Sequence, residues 1–228
     1  LKLFIVYGMI SEEKFYEQAS KFALLKNTEG KYFTFEEYEK LIKENQKDKN
    51  KTLIYLYTTD TEAQFSYIES ARNKGYDVLV MDGHLDMHFI NQLETKFKES
   101  HFVRVDSDVI DKLIQKDEAR ESKLTQEQQD DLKPVFKCKF PDTKANYTVT
   151  FESLAENDQP VIITQMEFMR RMKDMSQLGG PMSFYGEMPS SYNVVINSNH
   201  PLVSRIHEDK EKKCRKELDK LNEKLKPL

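Results

Sequence analysis

Three short apolar runs, each followed by a helical pattern, most constrain how this chain can fold. They are TLIYLY (52–57), DVLVM (77–81) and HFVRV (101–105). Behind the first, Phe65, Ile68 and Ala71 recur at helical spacing, and Gly75 closes the segment. Behind the second come Phe89, Ile90, Leu93 and Phe97; behind the third, a short helix with Val109, Ile110 and Leu113. Strands that alternate with helices are joined by crossovers, which are right-handed in a parallel sheet. The reading is α/β: a small parallel βαβαβ layer with flanking helices.

Two helices should precede that layer. Phe15, Tyr16, Ala19, Phe22 and Ala23 predict one over 12–26, with Ser11 as its cap and Gly30 in the turn after it. Thr34 and Glu37 have the spacing of a capping box, and Phe33 with Tyr38 that of a hydrophobic staple, so a second helix should run to about Asn45.

The pattern changes after Gln115. QKDEARESKLTQEQQDD (115–131) is almost wholly polar and reads as a connector. A helix is expected from Gln126 to Phe136. YTVTFES (147–153) alternates as a strand, Asn157-Asp158 marks a turn, and PVIIT (160–164) should pair back on it. A methionine-rich helix, a loop from Gly179 to Ser191, the strand YNVVIN (192–197) and a last helix opened by His200-Pro201 complete the chain. The expected organisation is an α/β domain over 1–115, a connector over 116–131 and an α+β domain with mixed helix and sheet over 132–228.

Composition excludes several classes. With 35 basic and 39 acidic residues, the net charge of −4 disfavours nucleic acid as a partner. No apolar run reaches the roughly 20 residues of a membrane helix, so no membrane partner is expected, and the short LFIVYGMI run lacks a cleavage site. Cys138 and Cys214 have no CxxC spacing and read as free thiols in a reducing compartment, which makes a cytoplasmic location the expectation. The start at Leu1, within an apolar run, and the stop at Pro227-Leu228 look like cuts from a longer protein.

Candidate chemistry is sparse. The loop after the first strand, YTTDTEAQ, has no glycine to let backbone N–H groups approach a phosphate. A stand-alone α/β nucleotide-binding protein or enzyme is the alternative reading, and it would need a pocket near Thr58, Thr59, Asp60 and Asp82. His84 and His88 are four apart beside Asp82 and Asp86, but no third ligand and no HExxH glutamate accompany them, so no metal site is expected. Cys138 has no histidine near it in sequence to activate its thiol. Arg170-Arg171 reads as the solvated face of a helix. No catalytic residue and no cofactor site are expected.

The strongest local signal is methionine. Six of the nine methionines fall between Met166 and Met188. Met166, Met169, Met172 and Met175 lie on the predicted helix, while Met182 and Met188 follow in a loop with Phe184 and Tyr185. Methionine is unbranched and polarizable, so a surface rich in it adapts to many shapes. At about 100° per residue, Phe168, Met172, Met175 and Leu178 form one stripe that ordinary core packing would use, and Met166 and Met169 fall off it. Both readings, core helix and partly exposed patch, stay open here. The patch reading takes Met166, Phe168, Met169, Met172, Met175, Met182, Phe184 and Tyr185 as contacts for unfolded or variable polypeptide. In the last helix, Cys214, Leu218, Leu221 and Leu225 form a narrow seam suited to one partner helix.

The order of segments adds a resemblance. EKFYEQASKFALLKN, KYFTFEEYEKLIKENQKDKNKTLIYLYTTD and GYDVLVMDGHLDMHFINQLE are similar to the middle domain of the ninety-kilodalton heat-shock chaperone family, where a K-x-I-Y-Y-x-T strand follows the same helix. NYTVTFESLAENDQPVIITQMEFMRRM and YNVVINSNHPLVSRI resemble its carboxy-terminal domain, and INSNHPLV follows the family's I-N-P-D-H-P-I-V. Ser198-Asn199 replace the usual Pro-Asp, and Asp82-Gly83-His84 stand where the family has an acidic residue and proline. The resemblance covers nearly all of the chain and is closest to the bacterial branch. It implies a dimerisation-type second domain, the methionine helix as a client contact, and the last helix as part of a homodimer interface. It further implies that ATP and Mg belong to an ATP-binding domain preceding these residues, and that this part of the chaperone has no catalysis of its own.

Overall fold

The computed structural model describes residues 2–116, 120–141, 145–176 and 189–225, apart from the side chains of Glu167, Lys173, Asp174, Met175, Lys216, Asp219 and 221–225. The chain divides into two compact units, Leu1–Asp117 and Glu118–Leu228. Each has buried apolar clusters of its own.

The first unit centres on three parallel strands, β3 (Leu53–Thr58), β4 (Val78–Val80) and β5 (Ser100–Arg104), in the order β4-β3-β5. Every residue of β3 is buried, as a central strand covered on both faces requires. Its alternate side chains divide between two cores. Leu53, Tyr55 and Tyr57 join Phe89, Ile90 and Leu93 of α5 (Asp86–Lys96) on one face. Ile54 and Leu56 join Ile68 and Ala71 of α4 (Phe65–Asn73) and Ile110 of α6 (Ile110–Leu113) on the other. Helices on opposite faces follow from crossovers of one hand that run in opposite directions along the sheet, β3 to β4 through α4 and β4 to β5 through α5. Aromatic packing reinforces the first face: the rings of Tyr55 and Phe102 stack with centroids 4.6 Å apart.

The amino-terminal third differs from expectation. Residues 2–11 form a helix, α1 (Lys2–Ser11), and the expected helix over 12–26 is only α2 (Glu13–Ala19). Ser11 ends α1 instead of capping α2, whose N-cap is Glu12. Beyond Ala19 the apolar spacing continues into a strand, β1 (Leu24–Lys26), which pairs with β2 (Tyr32–Thr34). Gly30 turns that hairpin at φ +79°, a conformation costly for any residue with a Cβ. The capping box is present: Thr34 Oγ1 accepts from Glu37 N at 3.3 Å while Glu37 Oε2 accepts from Thr34 N at 2.8 Å. The Phe33 and Tyr38 rings lie 5.8 Å apart, as the staple requires. Helix α3 (Phe35–Ile42) follows, and Gly75, at φ +75°, ends the turn after α4.

The second unit holds a mixed sheet of β6 (Asn146–Glu152), β7 (Val161–Thr164) and β8 (Ser191–Asn197), in the order β6-β8-β7. The expected hairpin of β6 with β7 does not form. β8 lies between them, parallel to β6 and antiparallel to β7. The physical reason is burial: Val194, Val195 and Ile196 are buried on both faces, which suits only the central position. Val149, Val194 and Ile196 pack against Leu132 of α7 (Gln126–Lys137) and Val203 of α9 (Pro201–Leu225). Leu124, inside the charged segment after Gln115, is part of the same core. Pro201 stands at the first position of α9, and His200 Nδ1 accepts from Leu202 N at 3.0 Å.

Candidate functional site

Helix α8 (Glu167–Ser176) follows edge strand β7 after two residues. Register places Val161 and Ile163 opposite Ile196 and Val194, on the sheet face that carries the core, yet both side chains are exposed at the edge. Met166 is 54% exposed and Phe168 62%, so four large apolar side chains face solvent between Val161 and Phe168. Met169 and Met172 are half-buried. The inward side of α8 carries Arg170, only 2% exposed, and Ser176. Two readings of the sequence are corrected. Phe168 is not part of an inward stripe, and Arg170 is not on the solvated face. Both arginines are engaged within the fold. The side chain of Met175 and the whole of Met182, Phe184 and Tyr185 lie outside the described residues.

The seam of the last helix is only partly visible. Val203 is buried and Ile206 packs on the core, but from Lys212 onward the described side chains of α9 are exposed. Cys214 is exposed and Leu218 is 37% exposed. The side chains of Leu221 and Leu225 lie outside the described residues. Pairs one turn apart, Lys212–Glu208 at 3.6 Å and Lys213–Asp209 at 3.3 Å, keep the exposed helix charged.

The carboxyl ends of β3 and β5 are where an open α/β sheet would hold a nucleotide. Here a closed polar network fills the place. Thr58 Oγ1 donates to Gln64 Oε1 at 2.5 Å, and Thr59 N donates to the same oxygen at 3.1 Å. Gln64 Nε2 donates to Asp106 Oδ2 at 3.1 Å, and Arg104 grips Asp106 through Nε at 2.5 Å and Nη2 at 2.7 Å. Asp60 caps the following turn through Glu62 N and Ala63 N. These groups satisfy one another, and with no glycine in the loop the residues present do not fit ATP.

The histidine pair does not converge on a site. His84 and His88 are both exposed, and Asp86 beside them is buried, accepting from Gly83 N at 3.0 Å and pairing with Lys2 at 3.3 Å. Cys138 is an exposed thiol at the end of α7 whose Sγ donates to Val135 O at 3.1 Å. Among the described residues, three metal-capable side chains do meet elsewhere: Asp131 of α7 with His207 and Glu211 of α9, their donor atoms within 4.8 Å of one another. Sequence reading missed this trio because Asp131 is remote in sequence from the other two. The H-x-x-x-E spacing on α9 is the one signal that points to it. No described helix is long and apolar enough to cross a membrane.

Comparison with known proteins places these features in one family. The model of the family described as Hsp90 protein matches residues 5–225. The chain is 52% identical over 94% of its length to a chaperone protein htpG of Bacteroides fragilis (strain YCH46), of which it covers 32%. It is 50% identical over 96% of its length to the Chaperone protein HtpG of Bacteroides thetaiotaomicron, covering 32% of that protein. To the Chaperone protein HtpG of Porphyromonas gingivalis (strain W83) it is 45% identical over its whole length, covering 34%. The chain thus spans about a third of the curated relatives it matches. A family match along almost every residue, together with relatives this similar, means that the chain belongs to the Hsp90 family.

Proposed function

We propose that this chain is the client-contacting part of an ATP-dependent molecular chaperone of bacterial type, working in the cytoplasm as a homodimer. The observation that carries the reading is the exposed apolar run of β7 and α8: Val161, Ile163, Met166 and Phe168, backed by half-buried Met169 and Met172. Unfolded segments present apolar side chains in no fixed arrangement. Flexible thioether and aromatic groups on a helix surface meet them through many weak, interchangeable contacts. Met175, Met182, Phe184 and Tyr185 would extend the same surface. Cys214, Leu218, Leu221 and Leu225 would supply part of the dimer contact. ATP and Mg would be bound by the remainder of the longer protein, since the switch point of this sheet is filled by its own polar groups. The same network weighs against a stand-alone nucleotide-binding enzyme. Titration calorimetry with ATP should give no heat of binding, and a saturable signal would favour that alternative.

The client reading is tested by replacing Met166 and Phe168 with serine. Suppression of the aggregation of an unfolded test protein should fall, while unfolding free energy changes by no more than about 0.5 kcal/mol, as for exposed positions. A loss of about 2–5 kcal/mol would mark both as core residues and remove the basis for the proposal.

A further inference from the structure

We propose that Asp131, His207 and Glu211 form a binding site for one first-row divalent transition ion, with zinc as the reference case. His207 and Glu211 stand one turn apart on α9 and share a face. Asp131 reaches the same point from α7, and all three donor atoms lie within 4.8 Å of one another. Ligands to zinc sit about 2.0–2.2 Å from the ion, so small side-chain rotations bring this set into range. One imidazole and two carboxylates leave a fourth position for water. The imidazole selects transition ions over Mg or Ca, which take all-oxygen sets. Asp131 is exposed and the other two are half-buried, so an ion can enter from solvent.

Two cations occupy the carboxylates at present. Lys210 pairs with Asp131 and Arg215 with Glu211. The ion must displace both. Lys210 Nζ already donates to the Asp131 carbonyl at 3.0 Å and retains that bond, and Arg215 is exposed and free to turn to water. The Arg215–Glu211 pair is solvent-exposed and weak, whereas the Lys210 side chain is only 12% exposed, so Lys210 is the main competitor of the ion. The consequence is structural. A bound ion would tie α7 to α9, whose Leu132 and Val203 share the core of the second unit.

The test is a zinc titration of the whole chain after chelator treatment, followed by calorimetry and thermal unfolding. One ion per chain is expected, with a rise in the melting temperature of the second unit. His207→Ala and Glu211→Gln should each weaken binding at least about tenfold. Lys210→Met should tighten it, because it removes the competing ammonium, and binding through the other histidines would not show that. Cobalt in place of zinc should give visible bands without thiolate charge transfer, separating this site from the exposed Cys138 and Cys214. Absence of saturable binding, or binding unchanged in both His207→Ala and Glu211→Gln, would overturn the proposal.

Discussion

Asp77 joins the hairpin, the third helix and the sheet through a few bonds. Its carboxylate accepts from Asn27 Nδ2 at 2.8 Å and from the Tyr38 hydroxyl at 2.9 Å, and its N–H donates to Gln46 Oε1 at 2.6 Å. Gln46 Nε2 in turn donates to Ile54 O at 2.9 Å, inside β3. Burial raises the Asp77 pKa, and the bonds from Asn27 and Tyr38 only partly offset it. The folded protein therefore holds this proton to higher pH than the unfolded chain does. The stability gained is complete below the unfolded pKa and is lost as pH rises through the folded one. At neutral pH the ionised group is a cost. Asp77→Asn keeps an oxygen for Asn27 and offers an N–H to the Tyr38 hydroxyl, so the network survives without the charge. Denaturant unfolding near neutral pH should find the variant at least as stable as the parent chain, with the advantage shrinking or reversing as pH falls through the raised folded pKa and the parent carboxyl protonates. A clear loss at neutral pH would show that the charged form's stronger bonds outweigh its desolvation.

Two helices start from the same device with different chemistry. Thr34 and Glu37 open α3, and Thr125 and Gln128 open α7 with Gln128 Oε1 accepting from Thr125 N at 2.9 Å. Thr34→Ala and Thr125→Ala should each cost about 0.5–2 kcal/mol by chemical denaturation. Their pH dependence should differ. The backbone N–H and hydroxyl of Thr34 hold the Glu37 carboxyl below its usual pKa, so that contribution is present above the unfolded pKa and lost as pH falls through the folded one. The cost of Thr34→Ala should shrink in acid, whereas that of Thr125→Ala, whose partner is neutral, should not; equal acid responses would remove the distinction. The two boxes also show what a sequence displays. Thr34-to-Glu37 and the three parallel strands were legible because caps, staples and buried runs are local. The β6–β8 pairing was not, because turn residues at Asn157-Asp158 say where the chain bends and not which strand it bends towards. Phe22 and Ala23 continued a helical spacing that ended at Ala19, since the hairpin partner of Leu25 is Phe33, across the Gly30 turn. The methionine helix was visible as composition, but its facing was not: Arg170 turns inward where apolar periodicity would place it outside.

At the scale of the whole molecule, each unit buries apolar clusters of its own, two in the first and one in the second among the described residues. Leu56 is fully buried in the first, among Ile54, Ile68 and Val78. Leu132 is fully buried in the second, among Val149, Ile196 and Val203. The clusters that contain them have no member in common. A buried leucine contributes about 1.5–3 kcal/mol through apolar burial alone, and the cavity left by truncation adds to the loss. Leu56→Ala and Leu132→Ala should therefore each cost about 2–5 kcal/mol, but in different places. Chains with more than one compact unit depart from two-state unfolding, so two calorimetric transitions are expected. Leu56→Ala should lower one and leave the other in place, Leu132→Ala should do the converse, and the double variant should show both shifts without an added interaction. A single transition lowered by either substitution would mean that the two units unfold as one, and that the boundary at Asp117 divides contacts without dividing stability.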